Sequence, residues 1–210
     1  MPLPVVTPMT VDDLDAVMAL EVVCFKDPWT RRMYLADLTQ NELATYLAVR
    51  LRIADYSPRS AAERDCELRI PEASQSAIRN PKSEILAYGG FWLMADEAHI
   101  ATIASHPEMR GCGLGLTLML ALLDVAQAAG ARLSTLEVRA GNLPAQRLYE
   151  KLGFQIVGRR RQYYRDGEDG LIMTTPPLAE PGMRARLSAA RADARQRLTA
   201  CFNTTTDDGR

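Results

Sequence analysis

The six residues Arg110-Gly111-Cys112-Gly113-Leu114-Gly115 constrain this chain more than any other stretch. They lie between a strand-like run, Ala98 to Ser105, and a helical pattern that puts Leu118, Met119, Leu122, Leu123 and Ala126 on one side. A loop entering a helix leaves successive backbone N–H groups without intrahelical partners, beside the positive end of the helix dipole. Glycines let an anion approach that backbone without meeting a Cβ, and Arg110 adds a charge that can pair with phosphate. Taken alone, the loop reads equally well as a phosphate cradle or as a purely structural helix start. It lacks the Lys-Ser/Thr ending of a P-loop, which argues against nucleoside triphosphate hydrolysis. It also follows an antiparallel strand pair rather than opening a βαβ unit, a poor context for a dinucleotide fingerprint.

The surrounding pattern alternates strands and helices. Pro4 to Thr7 predicts a short strand, and Thr10 with Asp13 three residues on forms a capping box for a helix reaching about Phe25. Thr30 can cap a second helix through about Leu38. Strands follow over Ala44–Ile53, Glu84–Met94 and Ala98–Ser105, with Gly89 and Gly90 marking a bulge or a close backbone approach. After the loop helix, which Gly130 ends, come a strand over Leu133–Arg139 and a helix with Pro144 in its first turn and Gly153 at its close. Phe154–Gly158 and Leu171–Thr175 predict two more strands. This order gives an α/β class chain with a mixed sheet and helices on both faces. Residues 1–178 are expected to form the main domain, interrupted by a polar insertion at about 54–83 that shows no sustained period. Residues 179–210 read as a C-terminal extension in which Met183, Leu187, Ala190, Ala194, Leu198 and Cys201 mark one weakly apolar helix face. Packing on its own domain, dimerisation and contact with ribosomal RNA are all open for that helix.

Composition narrows the classes further. A net charge of −1 over 210 residues provides no broad basic field for nucleic acid or an anionic membrane. No stretch approaches the ~18 apolar residues of a membrane-spanning helix, and Met1 to Thr10 does not read as a signal peptide. Cys24, Cys66, Cys112 and Cys201 are widely separated, so disulfides and zinc frameworks are disfavoured and a reducing cytoplasm is the expected setting. His99 and His106 have no metal-ligand spacing, and no metal is expected.

Three segments together carry a family resemblance: RGCGLG, LEVRAGNLPAQRLYEKLGF (136–154) and RRRQYYRDGEDGLIM (159–173). In these the chain resembles the GCN5-related N-acetyltransferases, and within them the ribosomal-protein-alanine N-acetyltransferase subfamily and its N-terminal acetyltransferase relatives. The resemblance covers roughly residues 5–176 apart from the insertion. It implies a sheet whose two central parallel strands splay apart around acetyl-CoA. It also implies backbone contacts to the donor from Ile103, Ala104 and Ser105, and a diphosphate held by Arg110, Gly111, Cys112, Gly113, Leu114, Gly115 and Leu116. Asn142 matches a donor-contacting position, Tyr149 one beside the thioester sulfur, and Glu137 the proposed general base. Phe25 and Trp29 resemble one wall of an acceptor site, and Tyr163 and Tyr164 the other. Cys112 departs from the Arg, Lys or Gln commoner in the family, which weakens the expected hold on a charged donor.

The chemistry suits these residue types. Acyl transfer to an amine needs an unprotonated nitrogen and a proton for the departing thiolate. An α-amine, with a reference pKa of about 7.7–8.0 against about 10.4 for lysine, loses its proton with little help. One carboxylate such as Glu137 would suffice, with Tyr149 as the acid. Blander readings stand beside these. Glu137 could be a solvated or ion-paired strand carboxylate, Tyr149 a ring packed on the sheet and Asn142 only a helix cap. Tyr163 and Tyr164 could be an edge-strand pair, and Phe25 and Trp29 ordinary staple packing. Cys112 reads as structural rather than nucleophilic, since neither histidine is placed as its base. The expected function is acetyl transfer from acetyl-CoA to the N-terminal α-amine of a protein, with a ribosomal protein among the candidate acceptors. A small amine as acceptor and a non-catalytic acyl-CoA-binding module are the alternatives.

Overall fold

Thr10 opens the first helical segment in the manner its capping box predicts. Its backbone N–H and its hydroxyl both donate to Asp13 Oδ2, at 2.7 and 3.1 Å. A computed structural model describes residues 3–52 and 83–202 of the chain. After strand β1 (Val5–Pro8) and a short 3₁₀ turn, helices α1 (Leu14–Cys24) and α2 (Arg31–Gln40) lead to strands β2 (Ala44–Arg52), β3 (Ser83–Met94) and β4 (Glu97–Ser105). Helix α3 (Leu114–Ala128), strand β5 (Leu133–Arg139), helix α4 (Leu143–Lys151), strands β6 (Gln155–Arg160) and β7 (Gly170–Thr174) and helix α5 (Pro181–Phe202) complete the order. The polar insertion read from the sequence lies outside the described residues up to position 82, whereas Ser83 already belongs to β3.

Seven strands form one mixed sheet in the order β1-β2-β3-β4-β5-β7-β6. Every neighbouring pair is antiparallel except β4 and β5, which run parallel. Each face carries its own core. On one face α1 and α2 bury Leu14, Val17, Leu20 and Tyr34 against Tyr46, Ile85 and Tyr88. On the other, α3 places Leu118, Met119, Leu122 and Leu123 at 0–1% exposure against Val49, Leu86, Phe91 and Leu136. Burying one such leucine contributes about 1.5–3 kcal/mol, so the apolar stripe of α3 alone anchors the helix that starts at the glycine loop. Gly90 meets the close-approach expectation: a Cβ there would stand 2.4 Å from the ring of Tyr46, and the β3–β4 register shifts at Gly90/Phe91.

The central feature for function is a register fact. The parallel ladder joins Glu97–Ile100 to Leu133–Leu136 and then stops, although β4 continues to Ser105 and β5 to Arg139. Beyond Ile100 and Leu136 each strand remains paired only on its outer side, β4 to β3 and β5 to β7. The sheet therefore opens into a wedge whose facing edges keep free backbone hydrogen-bonding groups.

Helix α5 buries Met183, Leu187, Ala190, Ala194, Leu198 and Phe202 and packs on α3; this is the stripe anticipated from the sequence except that Phe202 takes the place of Cys201, which is exposed. It also overturns the expectation of unpaired cysteines. Cys112 and Cys201 form a disulfide across 89 positions, with Cα atoms 5.5 Å apart. Spacing along the chain hid this pair because only the return of α5 across the start of α3 brings the two sulfurs together.

Candidate functional site

A cleft of about 1220 Å³ occupies the wedge between β4 and β5. Ile103, Ala104 and Ser105 line one side, Glu137 and Arg139 the other, and the loop with the first turn of α3 forms one end. Gly113 sits in the left-handed region at φ +87° as N-cap of α3, and Gly111 has φ +84°. The first helical bond of α3 runs from the Thr117 N–H to the Gly113 carbonyl. The amides of Gly113, Leu114, Gly115 and Leu116 thus precede the ladder and have no backbone acceptor among the described residues, the arrangement an anionic diphosphate requires. Arg110, Gly111, Gly113, Leu114, Gly115 and Leu116 all line the cleft. Cys112 does not, because its sulfur is turned away into the bond with Cys201.

Glu137 lies on the face of β5 opposite the buried Leu136 and Val138, as strand alternation dictates. Its carboxylate is only 10% exposed, with Oε1 ion-paired to Arg160 at 3.2 Å and Oε2 standing 3.0 Å from His99 Nε2. The sequence analysis missed His99. It sits on β4 in register with Thr135, inside the last stretch of parallel ladder, and its ring stacks on Trp92, which stacks in turn on Trp29. Its strand position was legible, but the cross-strand neighbour was not.

Tyr149, on α4, is buried beside Phe154 and lines the cleft, and burial pushes its hydroxyl well above the usual tyrosine value. A phenol so held stays protonated throughout the neutral range and is available as a donor. Asn142 is the N-cap of α4, its Oδ1 accepting from the Ala145 N–H at 3.3 Å, and it also lines the cleft. Cap and cleft positions are therefore compatible in this residue.

Another part of the cleft wall is built by two loops joined through one guanidinium. Phe25 and Trp29, between α1 and α2, line the cleft, as does Tyr164 from the β6–β7 connection. Tyr163 departs from expectation. It lies outside the lining, 45% exposed, over Gly170 and beneath Arg160, because its ring meets that of Tyr164 edge-on and only one of the pair can face inward. Arg139 reaches Asp166 and Glu168 at 2.9 Å and Asp27 at 3.2 Å, and its guanidinium lies 3.9 Å over the Tyr164 ring. That cation draws the Asp166 carboxyl down to about 2. Burial pushes the Tyr164 hydroxyl up to about 12, opposed by the pull of Arg139. Beneath the loop, Glu21 is 1% exposed and accepts from the Trp29 N–H at 2.7 Å, the Tyr34 hydroxyl at 2.9 Å and the Tyr88 hydroxyl. Trp29 is held in the wall by that carboxylate.

Similarity to known proteins agrees with this geometry. The model of the Acetyltransferase (GNAT) family matches residues 14–154. A Bacillus subtilis protein, provisionally named [ribosomal protein bS18]-alanine N-acetyltransferase, is 35% identical over 166 residues, 79% of this chain and 90% of the relative. The crystal structure of the ribosomal-protein-S18-alanine N-acetyltransferase from Escherichia coli superposes with a TM-score of 0.63 at 26% identity, over 85% of this chain and 97% of that one. The NatC complex bound to Gag peptide and CoA shares the fold, with a TM-score of 0.60 at 18% identity over 83% and 99% of the two chains. With a family model spanning most of its length and a wedge-split sheet behind the glycine loop, the chain belongs to the GNAT acetyltransferase family and is an N-acetyltransferase, an acyltransferase drawing on acetyl-CoA.

Proposed function

We propose that this protein acetylates the N-terminal α-amine of a protein, with an N-terminal alanine of a ribosomal protein as the first acceptor to test. The observation that carries this reading is the meeting of Glu137 and Tyr149 in one cleft, from opposite strands of argument: a β5 carboxylate on the acceptor side and an α4 phenol near the donor side. The names of the Bacillus subtilis and Escherichia coli relatives support the choice of acceptor.

The residues fit the donor. Acetyl-CoA supplies, when bound, an acetyl thioester whose carbonyl carbon accepts the amine and whose thiol departs. The four free amides of residues 113–116 suit its diphosphate, and the unpaired edge of β4 at residues 101–105 suits the amides of its arm. Glu137, directly or through water, takes the proton the incoming α-amine must lose. The α-amine's reference pKa of about 7.7–8.0 makes that transfer modest. His99 Nε2 stands 3.0 Å from Glu137 Oε2 and fills the space beside the carboxylate, and Arg160 secures the other oxygen. Tyr149 gives a proton to the departing sulfur. Trp29 and Tyr164 flank the acceptor's first residues, and Arg139 keeps the two flanking loops together.

Turnover measured with an alanine-initiated peptide and acetyl-CoA tests the assignment. Glu137→Gln and Tyr149→Phe should each lower kcat by about 10²–10⁴-fold, the usual reach of general acid–base catalysis, with little change in acetyl-CoA affinity. Wild-type kcat in both variants would remove them from the chemistry. A preference for polyamines or aminoglycosides over peptides would reassign the acceptor.

A further inference from the structure

We infer that helix α5 is part of the donor site, and that Arg197 supplies a cation to the phosphates of the coenzyme's nucleotide end. Three observations converge on this. First, α5 touches the cradle itself: a Cβ added at Gly113 would stand 3.0 Å from Arg197 Cβ and 3.2 Å from the Ala194 carbonyl oxygen. The loop can approach the helix this closely only as glycine. Second, Arg197 and Asp193 line the same cleft as the glycine loop, facing Arg147 and Lys151 of α4. Asp193 Oδ2 receives both Lys151 Nζ, at 2.6 Å, and Arg197 Nε, at 2.7 Å, so one carboxylate gathers two cations from two helices at the cleft mouth. Three cations against one carboxylate leave that mouth positively charged, and among the described residues only Nε of Arg197 is engaged, by Asp193, so its terminal nitrogens can meet another acceptor. Third, the helix is fixed in place twice, by its buried stripe and by the Cys112–Cys201 bond, whose first member lies inside the loop.

The exchange is physically coherent. The side chain of residue 112 bears no charge and is turned out of the cleft by its bond to Cys201, so it cannot answer a phosphate. That same bond helps hold the preceding turns of α5, with Ala194 and Arg197, against Gly113, and this brings in a guanidinium able to hydrogen-bond phosphate with geometric selectivity. Sequence left open whether α5 packs on its own domain, dimerises or contacts RNA; in the folded chain it packs on its own domain and borders the cleft beside the glycine loop.

The inference rests on acetyl-CoA being the donor, and the test separates the two. Purified full-length protein is assayed with a fixed alanine peptide and either acetyl-CoA or S-acetylpantetheine, which has the thioester arm but no phosphate. Arg197→Gln, which keeps most of the stem, should lower kcat/KM for acetyl-CoA about fivefold, a partly exposed charge-assisted contact being lost, and leave S-acetylpantetheine unchanged. Arg197→Lys should recover most of the loss, and Arg195→Gln, an exposed arginine two positions away on another side of the helix, should have no effect with either donor. Equal losses with both donors, or an undiminished kcat/KM for acetyl-CoA in Arg197→Gln, would overturn the role of Arg197. A wild-type protein that uses neither donor would instead overturn the donor itself.

Discussion

Glu21 is the residue on which the Trp29 side of the cleft depends. Its carboxylate, almost fully buried, is raised above the ordinary glutamate range by desolvation, although Trp29 and Tyr34 donate to it. The sign of the linkage follows. A carboxyl with a raised value in the folded protein stabilises the fold below the unfolded-state value, about 4.3, and that contribution is lost as the pH rises through the folded value. Wild-type stability relative to Glu21→Gln should therefore be lower at neutral pH than at a pH near the unfolded-state value. Urea denaturation of both proteins at the two pH values measures it, and a constant difference would show that Glu21 does not titrate in that window. Glu137 and His99 show another residue-scale lesson. Strand alternation put Glu137 on the polar face, but alternation along one strand says nothing about which side chain of the neighbouring strand stands opposite.

At the scale of elements, two ties hold segments that the chain leaves far apart. Arg139, at the end of β5 that pairs with β7 but no longer with β4, binds Asp27 from the α1–α2 loop and Asp166 and Glu168 from the β6–β7 connection. Arg139→Ala should raise the Asp166 value from about 2 toward the ordinary aspartate range, which NMR titration of that carboxyl would follow. With the walls untied, KM for the peptide should rise on the order of tenfold while KM for acetyl-CoA holds, positioning being lost without the chemistry. Equal increases in both would place Arg139 in the fold rather than at the acceptor. The second tie is the Cys112–Cys201 bond, which closes 89 positions of sequence. A disulfide is worth about 2–4 kcal/mol in typical cases. Reductant should lower the stability of the oxidised wild type by about that amount. It should leave Cys201→Ser unchanged in a paired denaturation experiment, and an insensitive wild type would show that the packing of α5 alone holds the helix.

Across the whole molecule, element type and order were written in local patterns. The capping box at Thr10, the leucine spacing of α3, the alternation in β5 and the closing glycines at 130 and 153 all act over a few residues, where hydrogen bonding and side-chain periodicity are decided. The glycine loop was readable for the same reason: free amides at a helix start are a local property. Contacts that depend on where distant elements return were not readable. The early end of the β4–β5 ladder, the pairing of His99 with Glu137, the outward turn of Tyr163 and the meeting of Cys112 with Cys201 each join residues that no sequence period connects. What the chain's own order of residues determined is a mixed sheet with helices on both faces and an anion-ready turn. Tertiary structure alone decided where the sheet splits and what surrounds the split, because side chains there are brought together by the buried surfaces of remote helices rather than by their neighbours along the chain.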